Sequence, residues 1–278
     1  MARYLDQVWA SLGEPEVFTM IDAGAGRGTL ARSILAAEPA CGAALDYVAV
    51  EISANQRAQQ PDGVRSVAQL PDAVEAGVVV ANELLDNLPF DVYQRSGELW
   101  CELLVGFEAG ELVETFGPPE KVSELPDVAN GVRLPVISQA ADWVQRALSV
   151  VDHGRLLVID YASPTQAMVG DNGGWLRTYR SNERGGDSLA MPGSQDITTQ
   201  IPIEQLLGCR PLARSLSQAE FLVSCGIEDL VEHGRRVWAE RAHLGDLAAI
   251  RARSRVVEAE ALLEPDGLGG FAVFEWVV

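Results

Sequence analysis

Two short stretches carry residues whose types and spacing could do chemistry. The first is Asp22-Ala-Gly24-Ala-Gly26-Arg-Gly28-Thr29, an acid followed by three glycines at alternate positions. Glycines at that density let a backbone turn left-handed and come close to a ligand. A dinucleotide site spaces them G-x-G-x-x-G, so that a helix N-terminus meets a pyrophosphate. Here the third glycine comes one residue early and Thr29 fills the dinucleotide position. The acid at Asp22 suits a cationic or amine-bearing ligand better than a diphosphate. The second stretch is Asn82-Glu83-Leu-Leu-Asp86-Asn87-Leu-Pro89. Its carboxylates are the groups that orient a basic acceptor and share or accept its proton.

The elements that must position these residues are legible around them. An apolar run, Phe18–Ile21, leads into Asp22, and a helix-forming run, Leu30–Ala37, follows the glycines. Strand, tight turn and helix make the opening unit of a doubly wound α/β domain, which binds ligands at the carboxyl ends of its strands. D-x-G-x-G-x-G resembles motif I of the class I S-adenosylmethionine (SAM) methyltransferases. In that family the glycines let the backbone approach the methionine part and the ribose. The second strand, Tyr47–Glu51, again ends in an acid, and in both nucleotide-binding families an acid there takes two ribose hydroxyls. Ile52 is grouped with Glu51 in the cofactor site. Ser53 is a reasonable N-cap for the next helix. A short strand is expected near Val64–Val67, and Gln69 and Leu70 after it would cover the adenine. Gly77–Ala81 reads as a buried parallel strand. It delivers Asn82, expected at the methionine end of the cofactor.

Further along, Asp91–Gln94, Leu99–Val105 and Glu111–Phe116 alternate with turn residues and read as hairpins. Residues 118–131 read as a loop and Val136–Val150 as a helix broken by His153-Gly154. Arg155–Asp160 is another core strand ending in an acid. Residues 163–200, rich in Gly, Pro, Ser, Asn and Asp, are expected to be a long irregular segment, ordered because it holds Trp175 and Tyr179. Ser217 and Glu220 have capping-box spacing, helices continue to about Leu263, and the chain ends as a strand. One domain is expected over 1–278. It has a Rossmann-like core in 1–89 and 132–162, a β-rich insertion in 90–131, and a substrate-side loop, helices and final strand in 163–278.

The bulk properties narrow the partners. The net charge is −19 over 278 residues, with a single lysine, Lys121. So acidic a chain argues against binding a phosphate backbone, and no nucleic acid partner is expected. Cys41, Cys101, Cys209 and Cys225 are far apart and do not combine with His153, His233 or His243 at ligand spacing, so no metal is expected. No apolar run approaches the ~18 residues of a membrane span. Nothing at the N-terminus resembles a signal peptide, and a cytoplasmic setting is expected.

Taken together the chain resembles the MidA family of class I methyltransferases, which includes the mitochondrial arginine methyltransferase that assists respiratory complex I assembly. The resemblance is carried by Asp22–Leu30, Tyr47–Glu51, Ala81–Pro89, Leu157–Tyr161, Leu176–Arg180, Gly193–Thr198 and Ser217–Phe221, and spans most of residues 15–275. It implies a doubly wound Rossmann-like class I methyltransferase sheet with a β-hairpin insertion and a helical C-terminal part. It implies SAM as cofactor, with S-adenosyl-L-homocysteine as product, held by Asp22, Gly24, Gly26, Gly28, Glu51, Ile52, Gln69, Leu70, Asn82 and Glu83. Glu83 and Asp86, three apart, would share one face of a helical turn and serve an acceptor nitrogen such as a protein arginine. Asn87, Pro89, Tyr161, Tyr179, Gln195 and Asp196 are the acceptor-pocket candidates, and Asp160 a weaker one. Relatives carry a longer region before motif I, so the lid over the cofactor is expected to be reduced. Three other readings stay open: a small-molecule O- or N-methyltransferase, a non-catalytic SAM-binding assembly or regulatory protein, and a nicotinamide oxidoreductase. The oligomeric state is not legible in the sequence.

Overall fold

The computed structural model describes residues 1–171, 173–180 and 183–278. Contacts divide the chain into two compact units. The first comprises Met1–Asn82, Ala147–Ile159 and Leu212–Val278. It is built on a seven-stranded sheet of β1 (Phe18–Ala23), β2 (Leu45–Val50), β3 (Arg65–Val67), β4 (Val74–Asn82), β5 (Val151–Asp160), β6 (Arg214–Ser217) and β7 (Ala272–Val277). The strands lie in the order β3-β2-β1-β4-β5-β7-β6. β1 pairs in parallel with β2 and β4, β4 with β5, and β2 with β3. This is half of a doubly wound sheet with its order reversing at β1, the switch point where such folds take ligands. A dinucleotide fold ends in three parallel strands, 4-5-6. Here β7 slips in between β5 and β6 and runs antiparallel to β6.

Every residue of β1 is buried, as are Val78, Val79, Val80 and Ala81 of β4. Runs buried on both faces read as unbroken apolar sequence, which is why these strands were legible. The helices Ala2–Ser11 and Gln218–Ser224 also belong to this unit, Tyr4 stacking edge-on against Phe221 at 5.3 Å. Ser217 and Glu220 do form a capping box. The Tyr4 hydroxyl donates to the buried Glu275 at 2.8 Å, and Arg155 and Arg214 lie 3.8 and 3.6 Å from the same carboxylate. The helix does stop at Val150 as expected, but His153 and Gly154 are not what ends it: both lie inside β5. A Cβ at position 154 would strike the Gly77 carbonyl, so this glycine serves the close approach of β4 and β5.

The second unit comprises Glu83–Arg146 and Asp160–Pro211. Its four-stranded antiparallel sheet sets the edge strand Glu111–Phe116 beside Leu99–Glu108, then Asp91–Ser96, then Arg133–Val136. Val136 therefore ends a strand, and the helix begins at Ser138. Pro135 is tolerated there because that strand lies at the other edge. Residues 163–200 are also more regular than expected. The helix Thr165–Gly170 is followed by Leu176–Arg180, which pairs with Glu183–Arg184 and Asp196–Thr199. The Gly, Pro and Ser residues punctuate short strands. Trp100, Leu134, Met168 and Trp175 form this unit's core. Among the described residues, no helix is long and apolar enough to cross a membrane, and no cluster of His, Cys, Asp and Glu could hold a metal.

Candidate active site

In the first unit, β1 ends at Ala23 and the chain turns at once. The amides of Gly24 and Ala25 both donate to the Val50 carbonyl, at 2.9 and 3.1 Å. Gly24, Gly26 and Gly28 have φ of 74°, 54° and 78°, so all three occupy the left-handed region that side chains avoid. The helix Thr29–Ala36 starts directly after them. A Cβ at Gly28 would collide with Gln60, whereas one at Gly26 would meet only Gln56 Oε1, at 3.9 Å. Gly28 is thus held to glycine by its left-handed backbone, with Gln60 and Pro61 packed against it, and Gly26 has room beside it.

Glu51, at the end of β2, straps this turn. Its Oε2 accepts the Gly26 amide at 3.0 Å and its Oε1 the Ser53 amide at 2.8 Å. Each carboxylate oxygen has a second acceptor position. Ile52 beside it is 87% exposed, an apolar surface left uncovered. Gln69 is exposed and Leu70 half-buried just past β3, and Asn82 is exposed at the end of β4. Asp22 differs: it is buried, accepts the Tyr47 hydroxyl at 2.7 Å, and is pushed up to about 6 by burial against that hydrogen bond. Sequence reasoning missed the residues that brace the turn. Tyr47 holds Asp22, Arg57 donates to the Glu51 and Ile52 carbonyls at 2.7 Å, and Gln60 Nε2 donates to the Gly26 carbonyl at 2.8 Å. Arg57 acts locally, on the end of β2, whereas nothing in the spacing shows that Gln60 reaches back to a turn so far away in the chain.

The second unit begins with the acid turn. Glu83 is exposed with φ 49°, and the short 3-10 turn starts only at Leu85. The expected helical face shared by Glu83 and Asp86 is therefore not formed, because the turn is wound around Asp160 instead. Asp160, wholly buried, accepts the Leu85 and Asp86 amides on Oδ2 at 2.8 and 3.3 Å and the Tyr161 amide on Oδ1 at 2.8 Å. Asn87 donates to Asp86 Oδ1 at 2.7 Å and to the Glu83 carbonyl at 3.3 Å. Burial, and then the neighbouring acid, raises both carboxyls: Glu83 acts on Asp86, and Asp86 on Asp160. Tyr161 is held up to about 12 by burial, then by Glu83 and Tyr179, and Arg177 lies 5.4 Å over its ring. Glu83, Asp86, Asp160, Tyr161, Tyr179 and Arg177 therefore share one electrostatic environment.

Asn87 and Pro89 turn toward a different feature of this unit, a cavity of about 970 Å³ walled also by Leu103, Val105, Met168 and Trp175. Gln195 is engaged elsewhere: its Nε2 donates to the Asp187, Ser188 and Ala190 carbonyls. Asp196 is exposed on a strand, in register with Tyr179.

The raised pair has a consequence for stability. The native state keeps protons that the unfolded chain gives up at about pH 4. The stability this contributes is complete below that pH and is lost as pH rises toward about 8, the value to which Asp160 is pushed. Thermal melts from pH 4 to 9 should show the wild type losing ground to Asp86→Asn across that window. Parallel curves would show that the pair is ionised throughout.

A doubly wound sheet with a three-glycine turn at its switch point and an acid closing the second strand defines a Rossmann-like class I methyltransferase fold. The chain belongs to the family described as "Putative S-adenosyl-L-methionine-dependent methyltransferase", whose model matches residues 1–213. Its cofactor is S-adenosyl-L-methionine. The chain is similar to a COG1565-superfamily protein from Burkholderia thailandensis whose crystal structure holds S-adenosyl-homocysteine. Identity is 27% and the TM-score 0.82, over 100% of this chain and 75% of that one. A native crystal structure of a COG1565-superfamily protein from the same organism matches with 27% identity and a TM-score of 0.81, over 100% of this chain and 77% of that one.

Proposed function

We propose that the methyl group goes to an acceptor nitrogen, the guanidinium of a protein arginine, in a protein of the MidA type. The observation that supports this reading is the acid turn. A buried carboxyl such as Asp86, raised by burial and then by the neighbouring Glu83, gains most from the arrival of a cation. A guanidinium, with a pKa above about 12, must be oriented and relieved of a proton before its nitrogen has a lone pair to use. Glu83 and Asp86 supply the carboxylates for that, and a planar fork such as arginine's suits paired carboxylate oxygens.

The cofactor fits the residues present. Gly26 leaves free the volume that a Cβ would fill, and Glu51 retains acceptor capacity for two ribose hydroxyls. Ile52 offers the purine an apolar surface, with Gln69 and Leu70 at its edge. Asn82 and Glu83 would meet the methionine end, and Asp22, locked by Tyr47, would support the turn from below. When bound, SAM supplies an electrophilic methyl on a sulfonium, and the chain's task is orientation. Holding donor and acceptor in line can contribute roughly 7–11 kcal/mol toward the barrier.

A second reading, a small-molecule O- or N-acceptor, is favoured by the 970 Å³ cavity beside Asn87 and Pro89, which is of the size that holds such ligands. Methyl-labelled SAM and a cell lysate separate the two. Label recovered in protein, as methylarginine after hydrolysis, supports the first. Label confined to the small-molecule fraction supports the second, and protein label on other residues overturns the arginine assignment.

A further inference from the structure

The hairpin of the second unit exposes a surface that the cofactor and the acid turn do not use. Leu99–Glu108 and Glu111–Phe116 pair so that Phe107 faces Leu112, Val105 faces Glu114 and Leu103 faces Phe116. Cross-strand partners share a face, so these six side chains lie together. Val105, Phe107 and Phe116 are 63%, 72% and 51% exposed. Glu111–Phe116 is also the edge of its sheet, and among the described residues no strand pairs with its outer side. Edge strands are commonly blunted by lysine or proline, and this one has neither.

Charge says what would fit. Residues 90–131 hold nine acids against two bases, a net of −7. Glu114 and Asp127 are paired with Arg133 and Arg95. Among the described residues, Glu102, Glu108 and Glu111 have no cationic partner. In an added strand, alternate side chains would lie beside Leu112 and Phe116, and the others on the face of Glu111. Leu103, Val105 and Glu114 also wall the cavity that Asn87 and Pro89 line.

We infer that the outer edge of Glu111–Phe116 docks an extended, basic polypeptide segment of the acceptor protein, adding it as a strand with its apolar side chains beside Leu112 and Phe116, so that it extends the exposed face of Val105 and Phe107. This rests on the reading that the acceptor is a protein. Strand addition takes affinity from main-chain hydrogen bonds and specificity from alternate side chains.

The test uses the whole chain and a fluorescent peptide of alternating arginine and valine, with its glutamate-valine counterpart as control. Anisotropy should show the basic peptide binding and the acidic one not. Leu112→Ser/Phe116→Ser and Glu108→Gln/Glu111→Gln should each weaken binding at least tenfold, the second pair also flattening its salt dependence. SAM affinity by calorimetry should not change in either variant. Peptide binding indifferent to both pairs overturns the inference. So does a wild-type dimer in sedimentation that Leu112→Ser/Phe116→Ser converts to monomer, because the occupant would then be a second copy of the chain. Failure of the protein-acceptor reading is seen separately, as wild-type protein that labels no lysate protein.

Discussion

Glu51→Ala is expected to weaken SAM binding by roughly 100-fold or more. Hydrogen bonds to a charged acceptor contribute about 1.5–3 kcal/mol each, so losing two ribose hydroxyls removes about 3 kcal/mol or more. The substitution also strips the Gly26 and Ser53 amides of their acceptor, so part of the loss would come from a loosened turn. Glu51→Gln separates the two effects. Its side-chain oxygen can still accept one of the amides, while its NH2 group can accept nothing from a hydroxyl. Calorimetry with SAM should therefore place Glu51→Gln between the wild type and Glu51→Ala, with a melting temperature close to that of the wild type. Wild-type affinity in Glu51→Gln would remove the ribose from this carboxylate.

How far the sequence carried depends on what each residue had to signal. β1, β4 and the later part of β5 were legible because burial on both faces leaves an unbroken apolar run. The glycine turn was legible because positive φ at three alternate positions has few other sequences. What failed were features decided at a distance. His153-Gly154 looks like a helix breaker, and only the approach of the Gly77 carbonyl shows why a glycine is needed within a strand. Residues 163–200 look irregular because their strands are two to five residues long, too short for alternation to stand out. Asp160 was ranked below Asp86, yet it organises the turn that holds Asp86. A strand-terminal acid announces that it lies at the ligand end of a sheet, but not whether it meets a ligand or three backbone amides. Glu83 and Asp86 were placed on one helical face by spacing alone, and the left-handed backbone at Glu83 removed that relation.

That geometry shapes the second large expectation. Asp86→Asn should lower the rate of methyl transfer by about 100-fold, the lower range for losing a positioned proton acceptor, and should change its pH dependence. Asp86 is pushed up to about 6 by burial, then by Glu83. Below that pH it carries a proton and can neither orient a guanidinium by charge nor take up its proton. The wild-type rate should therefore rise with pH, with an inflection near 6, well above the range of an ordinary carboxylate. A further rise toward pH 8 would belong to Asp86 and Asp160 titrating as a pair. In Asp86→Asn the inflection near 6 should vanish while SAM affinity stays at the wild-type level, which a merely unfolded turn would not allow. Glu83→Gln gives the contrast. Glu83 is exposed, so its removal should lower the rate less and move the inflection downward, by taking a negative charge away from Asp86. An inflection that stays near 6 in Asp86→Asn would show that another group sets the profile, and Asp22, itself pushed up to about 6 by burial, is the first carboxyl to test.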